Sequence, residues 1–134
     1  MNRNIGRLDR TRFATAHADT MFVQKLFAEL NPEDIREGTF AYPPSWGILD
    51  AGMTMEKHRH PIPEFYVFVQ GAGEMVLGTD RFEVAGGMSI NIPPNVDHEV
   101  TNPPSAAVPL IWISIGLKEA DVQRGVAGDT PQRA

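Results

Sequence analysis

An all-β sandwich or barrel is the fold class that this 134-residue chain predicts, and three observations point to it. Gly and Pro number 12 and 11 and recur along most of the chain, cutting it into short runs. Those runs are rich in β-formers and follow one another at roughly ten-residue spacing, as in sandwiches and barrels. No segment sustains the apolar period of a long amphipathic helix. The length fits one domain with its own core, and a hydrophobic content of 42% is that of an ordinary globular chain.

In order, residues 1–20 are polar and aperiodic and are predicted to be a flexible N-terminal arm. Residues 21–27 read as an apolar strand. Asn31-Pro32-Glu33-Asp34 reads as a turn or helix start, followed by too little sequence for more than one turn. Strands are then predicted over 46–51, 64–69, 74–77, 81–84, 88–92, 98–101 and 110–115, within a barrel domain spanning 21–117. Gly78-Thr79-Asp80 separates two of these runs as a tight hairpin. The polar stretch 118–134 reads as a loose tail.

Charge and composition exclude several function classes. The net charge is −5, and the positive residues concentrate in the first twelve positions, so no basic face is available for nucleic acid. No apolar run is long enough for a membrane span, and no leader is visible. Cysteine is absent, which rules out disulfides, thiolate nucleophiles and Cys-ligated metals. A cytoplasmic protein is expected.

The chemistry-bearing residues are few. Of four histidines, His58 and His60 lie two apart, so on an extended strand they share a face. Pro61-Ile62-Pro63 then bends the chain and Glu64 follows. Two imidazoles and a carboxylate converging in this way suit a divalent metal. His17 fits no motif and reads as a surface histidine. Arg59, Asp97 and Glu99 alternate with the candidate residues and are expected to face away from them. Trp46 and Trp112 read as core or interface anchors.

The surroundings carry more. Gly52, His58, His60, Glu64 and Gly71 stand at fixed spacings, and Gly87, Pro93, His98 and Asn102 repeat a second pattern fifteen residues further on. The pair resembles the two motifs of the cupin superfamily, in its small single-domain microbial form. One position departs: Asn95 stands where the family usually has Gly, and Asn is the non-glycine residue that best tolerates the same positive φ. The resemblance implies a jelly-roll (double-stranded β-helix) barrel holding one divalent transition metal (Fe, Mn, Ni, Co, Cu or Zn), with His58, His60, Glu64 and His98 as ligands. Strand alternation from those positions is expected to turn Tyr66, Phe68, Val100 and Asn102 toward a substrate, and Thr54 and Glu56 inward below the metal. Glu64, Tyr66 and Glu56 are then candidate proton carriers. The implied function is a metal-dependent enzyme on a small chelating substrate, foremost a dioxygenase. The alternatives are a non-redox isomerase, decarboxylase or polyketide cyclase, or a small-molecule binding protein without turnover. A homodimer formed through the apolar segment at 21–27 is also expected.

Overall fold

The computed structural model describes residues 4–28 and 40–118. The predicted turn at Asn31-Pro32-Glu33-Asp34 and nearly all of the predicted tail therefore lie outside the described residues. After a short 3-10 turn at Arg10–Arg12 come ten strands: β1 Ala14–Ala16, β2 Met21–Lys25, β3 Phe40–Leu49, β4 Thr54–His58, β5 Glu64–Gln70, β6 Ala72–Leu77, β7 Asp80–Ala85, β8 Ser89–Ile92, β9 His98–Thr101 and β10 Leu110–Leu117. They form a six-stranded sheet in the order β1-β2-β3-β10-β5-β8 and a four-stranded sheet in the order β4-β9-β6-β7. Every pairing is antiparallel. Among the described residues no helix is long and apolar enough to cross a membrane.

The core fills the space between the sheets. Leu49, Phe68, Leu110 and Trp112 from the larger sheet pack with Met55, Met75, Val84 and Val100 from the smaller one. Met55, Phe68, Val84 and Val100 alternate with more exposed neighbours, so burial there follows the period of two, whereas 47–49 and 110–112 are buried in continuous runs. The hairpin predicted at Gly78-Thr79-Asp80 is present: Leu77 pairs with Asp80 and Gly78 has φ +62°. Asn95 adopts φ +62° and donates its N–H to His60 O, so asparagine makes the turn that the sequence assigned to it.

Three expectations are corrected. Residues 14–25 are not part of a loose arm and a lone strand. Ala14, Thr15 and Ala16 pair with Val23, Phe22 and Met21, and β2 pairs within its own chain with β3. Small, weakly patterned residues in a three-residue strand leave no periodic signal to read. Second, β3 begins well before residue 46 and runs through Pro43-Pro44. Ser45 faces Ser114 and Tyr42 faces Gly116, so the two prolines oppose Ile115 alone in a bulge, where a missing N–H breaks no ladder bond.

The third correction concerns Glu56. Met55 pairs with Val100 and His58 with His98, three residues against two. This second bulge resets the alternation, so Met55 is the buried residue, while Thr54 and Glu56 are exposed. Glu56 does not stand below the metal position.

Candidate metal centre

His58 ends β4, His98 opens β9 and Glu64 opens β5, while His60 sits in the link between β4 and β5. The cross-strand pair His58–His98 ties the first motif to the second, and Glu64 reaches across from the opposing sheet. The ligand atoms of these four side chains lie within 4.8 Å of one another.

Each imidazole is locked by the backbone beside it. Nδ1 of His58 lies 2.8 Å from Glu56 O, Nδ1 of His60 is 2.8 Å from Ile62 O, and Nδ1 of His98 is 2.9 Å from Val96 O. A carbonyl oxygen only accepts, so Nδ1 carries the proton in all three rings and Nε2 presents its lone pair. Those lone pairs turn toward a carboxylate: His60 Nε2 is 3.1 Å and His98 Nε2 is 3.3 Å from Glu64 Oε1. Lone pairs facing an anionic oxygen require positive charge between them. A single proton satisfies one such contact. Yet Nε2 of both His58 and His98 is buried without a hydrogen-bond partner. One divalent ion serves all four atoms, and the residues fit it by ligand type, tautomer and convergence.

The electrostatics agree. Burial pushes the Glu64 pKa up, but contacts with His98, Tyr42 and His60 outweigh it and hold the carboxyl below the ordinary range, hence ionised at neutral pH. Burial lowers the His58 pKa, which keeps that ring neutral as a ligand must be. Arg59 and Asp97 face away as expected, and they pair with each other at 2.8 Å on the outside of the site.

Beside the four atoms lies a cavity of about 300 Å³. Tyr66, Trp112, Met21 and Val23 supply its apolar walls, and Ser45, Gly47 and Ser114 make the room. Gly47 is required by close approach: a Cβ there would lie 2.5 Å from the Trp112 ring. The Tyr66 hydroxyl lies 3.6 Å from Met55 Sδ and also neighbours Glu64, and burial, then Glu64, hold its pKa well above the usual value, so it stays protonated.

Of the other expected substrate contacts, Phe68 and Val100 are core residues, and neither lines the cavity. Asn102 is fully buried and donates from Nδ2 to Leu49 O and Val108 O, so it ties the end of β3 to the 103–109 loop. Alternation placed these three on the inward face correctly. It could not say that neighbouring side chains fill the space in front of them.

Three residues at the site went unread in the sequence. His17 is not a surface histidine: its ring stacks on His58 with centroids 3.9 Å apart, and it lines the cavity. Burial, and then His58, lower its pKa to about 4. It is delivered by the β1–β2 turn, where His17, Ala18 and Asp19 all have positive φ. The hairpin is anchored by Glu56 N–H donating to Thr20 Oγ at 2.8 Å. Tyr42 and Ser114 both hydrogen-bond Glu64. No spacing rule marks any of the three. Only the strand register brings them to the site.

Comparison with known proteins places this geometry. Residues 34–115 match the family described as Cupin domain. The chain is 36% identical over 56 residues to the Uncharacterized protein MJ1618 of Methanocaldococcus jannaschii, an alignment spanning 41% of this chain and 45% of that protein. A Cupin 2 conserved barrel domain protein from Salinispora arenicola superposes with a TM-score of 0.70 at 21% identity, covering 92% of this chain and 96% of the other. The polyketide cyclase RemF from Streptomyces resistomycificus superposes with a TM-score of 0.63 at 18% identity, covering 84% and 79% of the two chains. These two similarities show a shared fold.

Proposed function

The chain belongs to the cupin family, and we propose that it is a metal-dependent enzyme acting on a small organic anion that chelates the metal through two oxygens. One observation carries the reading. Three Nε2 lone pairs and Glu64 Oε1 converge on one point, and that point adjoins a cavity walled by Tyr66 and Trp112. A dication meeting a single carboxylate keeps net positive charge, which favours an anionic ligand. Four protein ligands on a six-coordinate ion leave two positions for it. The aromatic walls suit a flat or apolar body better than a sugar.

Dioxygenase-type oxidation is the first reaction class. A redox metal bound here would supply activation of dioxygen, and the protein's part is to hold the substrate flat against Tyr66 and Trp112. Non-redox isomerase, decarboxylase or cyclase chemistry is the second, and Tyr66 favours it. The Tyr66 hydroxyl is kept protonated and lines the cavity, so it can donate to a substrate oxygen on which charge develops. RemF, named as a polyketide cyclase, has the same fold.

The test is to strip the protein with chelator and reload it with Fe(II), Mn, Ni or Zn. Oxygen uptake and product formation are then followed with catechols, enols and α-hydroxy ketones. Uptake with a redox metal supports the dioxygenase. Turnover with Zn or Ni and no uptake supports the second class. Binding without turnover under every metal overturns the enzyme and leaves a binding protein. A homodimer is part of the same proposal, because among the described residues β1 leaves one edge of the larger sheet unpaired. A monomer mass by light scattering overturns that part alone.

A further inference from the structure

Glu64 uses its two oxygens differently. Oε2 accepts hydrogen bonds from Tyr42 Oη at 2.9 Å and from Ser114 Oγ at 3.1 Å. Oε1 alone faces the imidazoles. A carboxylate oxygen offers about two lone-pair directions, so the capacity of Oε2 is filled by these two donors. Both come from adjacent strands of the same sheet. Tyr42 stands opposite Gly116 and Ser114 opposite Ser45. The Tyr42 ring occupies the space over Gly116, where a Cβ would lie 2.6 Å from two ring carbons. A carboxylate oxygen only accepts, so the Tyr42 hydroxyl is the donor in this hydrogen bond.

We propose that Tyr42 and Ser114 are positioning residues that restrict Glu64 to binding a metal through Oε1 alone, which preserves two free metal positions for a chelating ligand. The proposal rests on the metal-centre reading. A carboxylate free to turn can bind with both oxygens and fill one of those positions. Tyr42 and Ser114 occupy the second oxygen before the metal can. On this view Gly116 is part of the site as well, because it makes room for the ring that carries the hydroxyl.

The test uses Co(II) as the bound ion, with its visible absorption as the signal. Wild type, Tyr42→Phe, Ser114→Ala and the double variant are titrated with two probes: acetohydroxamate, which needs two positions, and azide, which needs one. In the double variant the acetohydroxamate affinity is expected to fall about tenfold, the scale of losing an outer partner of a metal ligand, with azide changing by less than about twofold. Tyr42→Phe, which removes a single oxygen atom, should show part of the same change in ratio. Gly116→Ala should act in the same direction by displacing the ring with its hydroxyl intact. Equal weakening of both probes, or no change in their ratio, overturns the positioning role. Should the double variant fail to fold, the ratio in Tyr42→Phe decides alone. A wild type that takes up no Co(II) overturns the metal-centre reading and this inference with it, and one that takes it up but binds neither probe overturns the free metal positions and this inference. A wild type that binds both probes, with variants that match it, overturns this inference only.

Discussion

Two histidine-bearing regions meet at the cavity, and they hold their rings by different means. On one side His58, His60 and His98 are each fixed by a hydrogen bond from Nδ1 to a carbonyl two residues away. These bonds are local, so ring orientation and tautomer are set by a few consecutive residues. On the other side His17 sits in the β1–β2 turn and is held by stacking on His58. Its placement depends on three consecutive residues at positive φ, a conformation that costs of order 1 kcal/mol or more at each non-glycine position. Locally fixed rings can serve as ligands, because a ligand needs a defined lone pair. A ring held by stacking serves as a wall.

Single substitutions of His58, His60 or His98 by Ala give the largest expected effect. Each should remove most of the bound metal. Each should also remove most of the roughly 2.7 kcal/mol of apparent stability that an ion at about a hundred times its dissociation constant adds. Glu64→Gln keeps the shape and removes the charge, and it should lose metal as well. Metal stoichiometry and melting temperature, with and without chelator, measure this. Full metal content in His98→Ala would break the assignment of that region as the ligand set.

The difference in holding explains what could be read in advance. Local fixation imposes fixed spacing, so His58, His60, Glu64 and His98 were legible from sequence, and the strand punctuation around them made the all-β class legible too. Glu56 was misplaced because a bulge between Met55 and His58 shifts the alternation by one, and no residue in that stretch announces it. His17, Tyr42 and Ser114 arrive through pairing between strands far apart in the chain. Their contribution is a property of register, and register is set by the whole sheet. Even the inward direction of Phe68, Val100 and Asn102, which alternation gave correctly, did not separate core from cavity wall.

Asn102 sharpens the point from within the motif region. It is fully buried and its Nδ2 serves two carbonyls. Asn102→Ala should cost about 2 kcal/mol by leaving those acceptors without a donor. It should leave metal affinity in the folded protein unchanged. Chemical denaturation and metal titration separate the two, and a loss of metal affinity would show that Asn102 acts on the site itself.

His17→Ala comes next in size. The lost stack is worth about 1 kcal/mol, which corresponds to about a fivefold weaker metal affinity through a looser His58. His17→Phe keeps a flat ring on His58 and should restore most of that loss. Glu56→Gln, exposed and outside the cavity, should change neither metal content nor stability. If His17→Phe proved as weak as His17→Ala, the imidazole would be acting through its nitrogens, and the contrast between ligand and wall would fail.

The smallest effect is a pH dependence of the metal-free protein. His17 titrates at about 4 in the folded chain, against about 6.5 for an unperturbed imidazole. Between these values the unfolded chain takes up a proton that the folded chain refuses, because burial and the adjacent His58 disfavour the charge. Protonation then favours unfolding, so stability is full above about pH 6.5 and falls as the pH drops toward 4. His58, lowered in the same direction by burial, adds to the slope. His17→Phe removes one of the two groups, and its melting temperature in chelator should fall less steeply between about pH 7 and pH 5 than that of the wild type. The same substitution in a His58→Ala background should flatten the profile further, since both rings are then gone. Parallel profiles for wild type and His17→Phe would mean that His17 is solvated in the metal-free protein and that the β1–β2 hairpin covers the cavity only once a metal has bound.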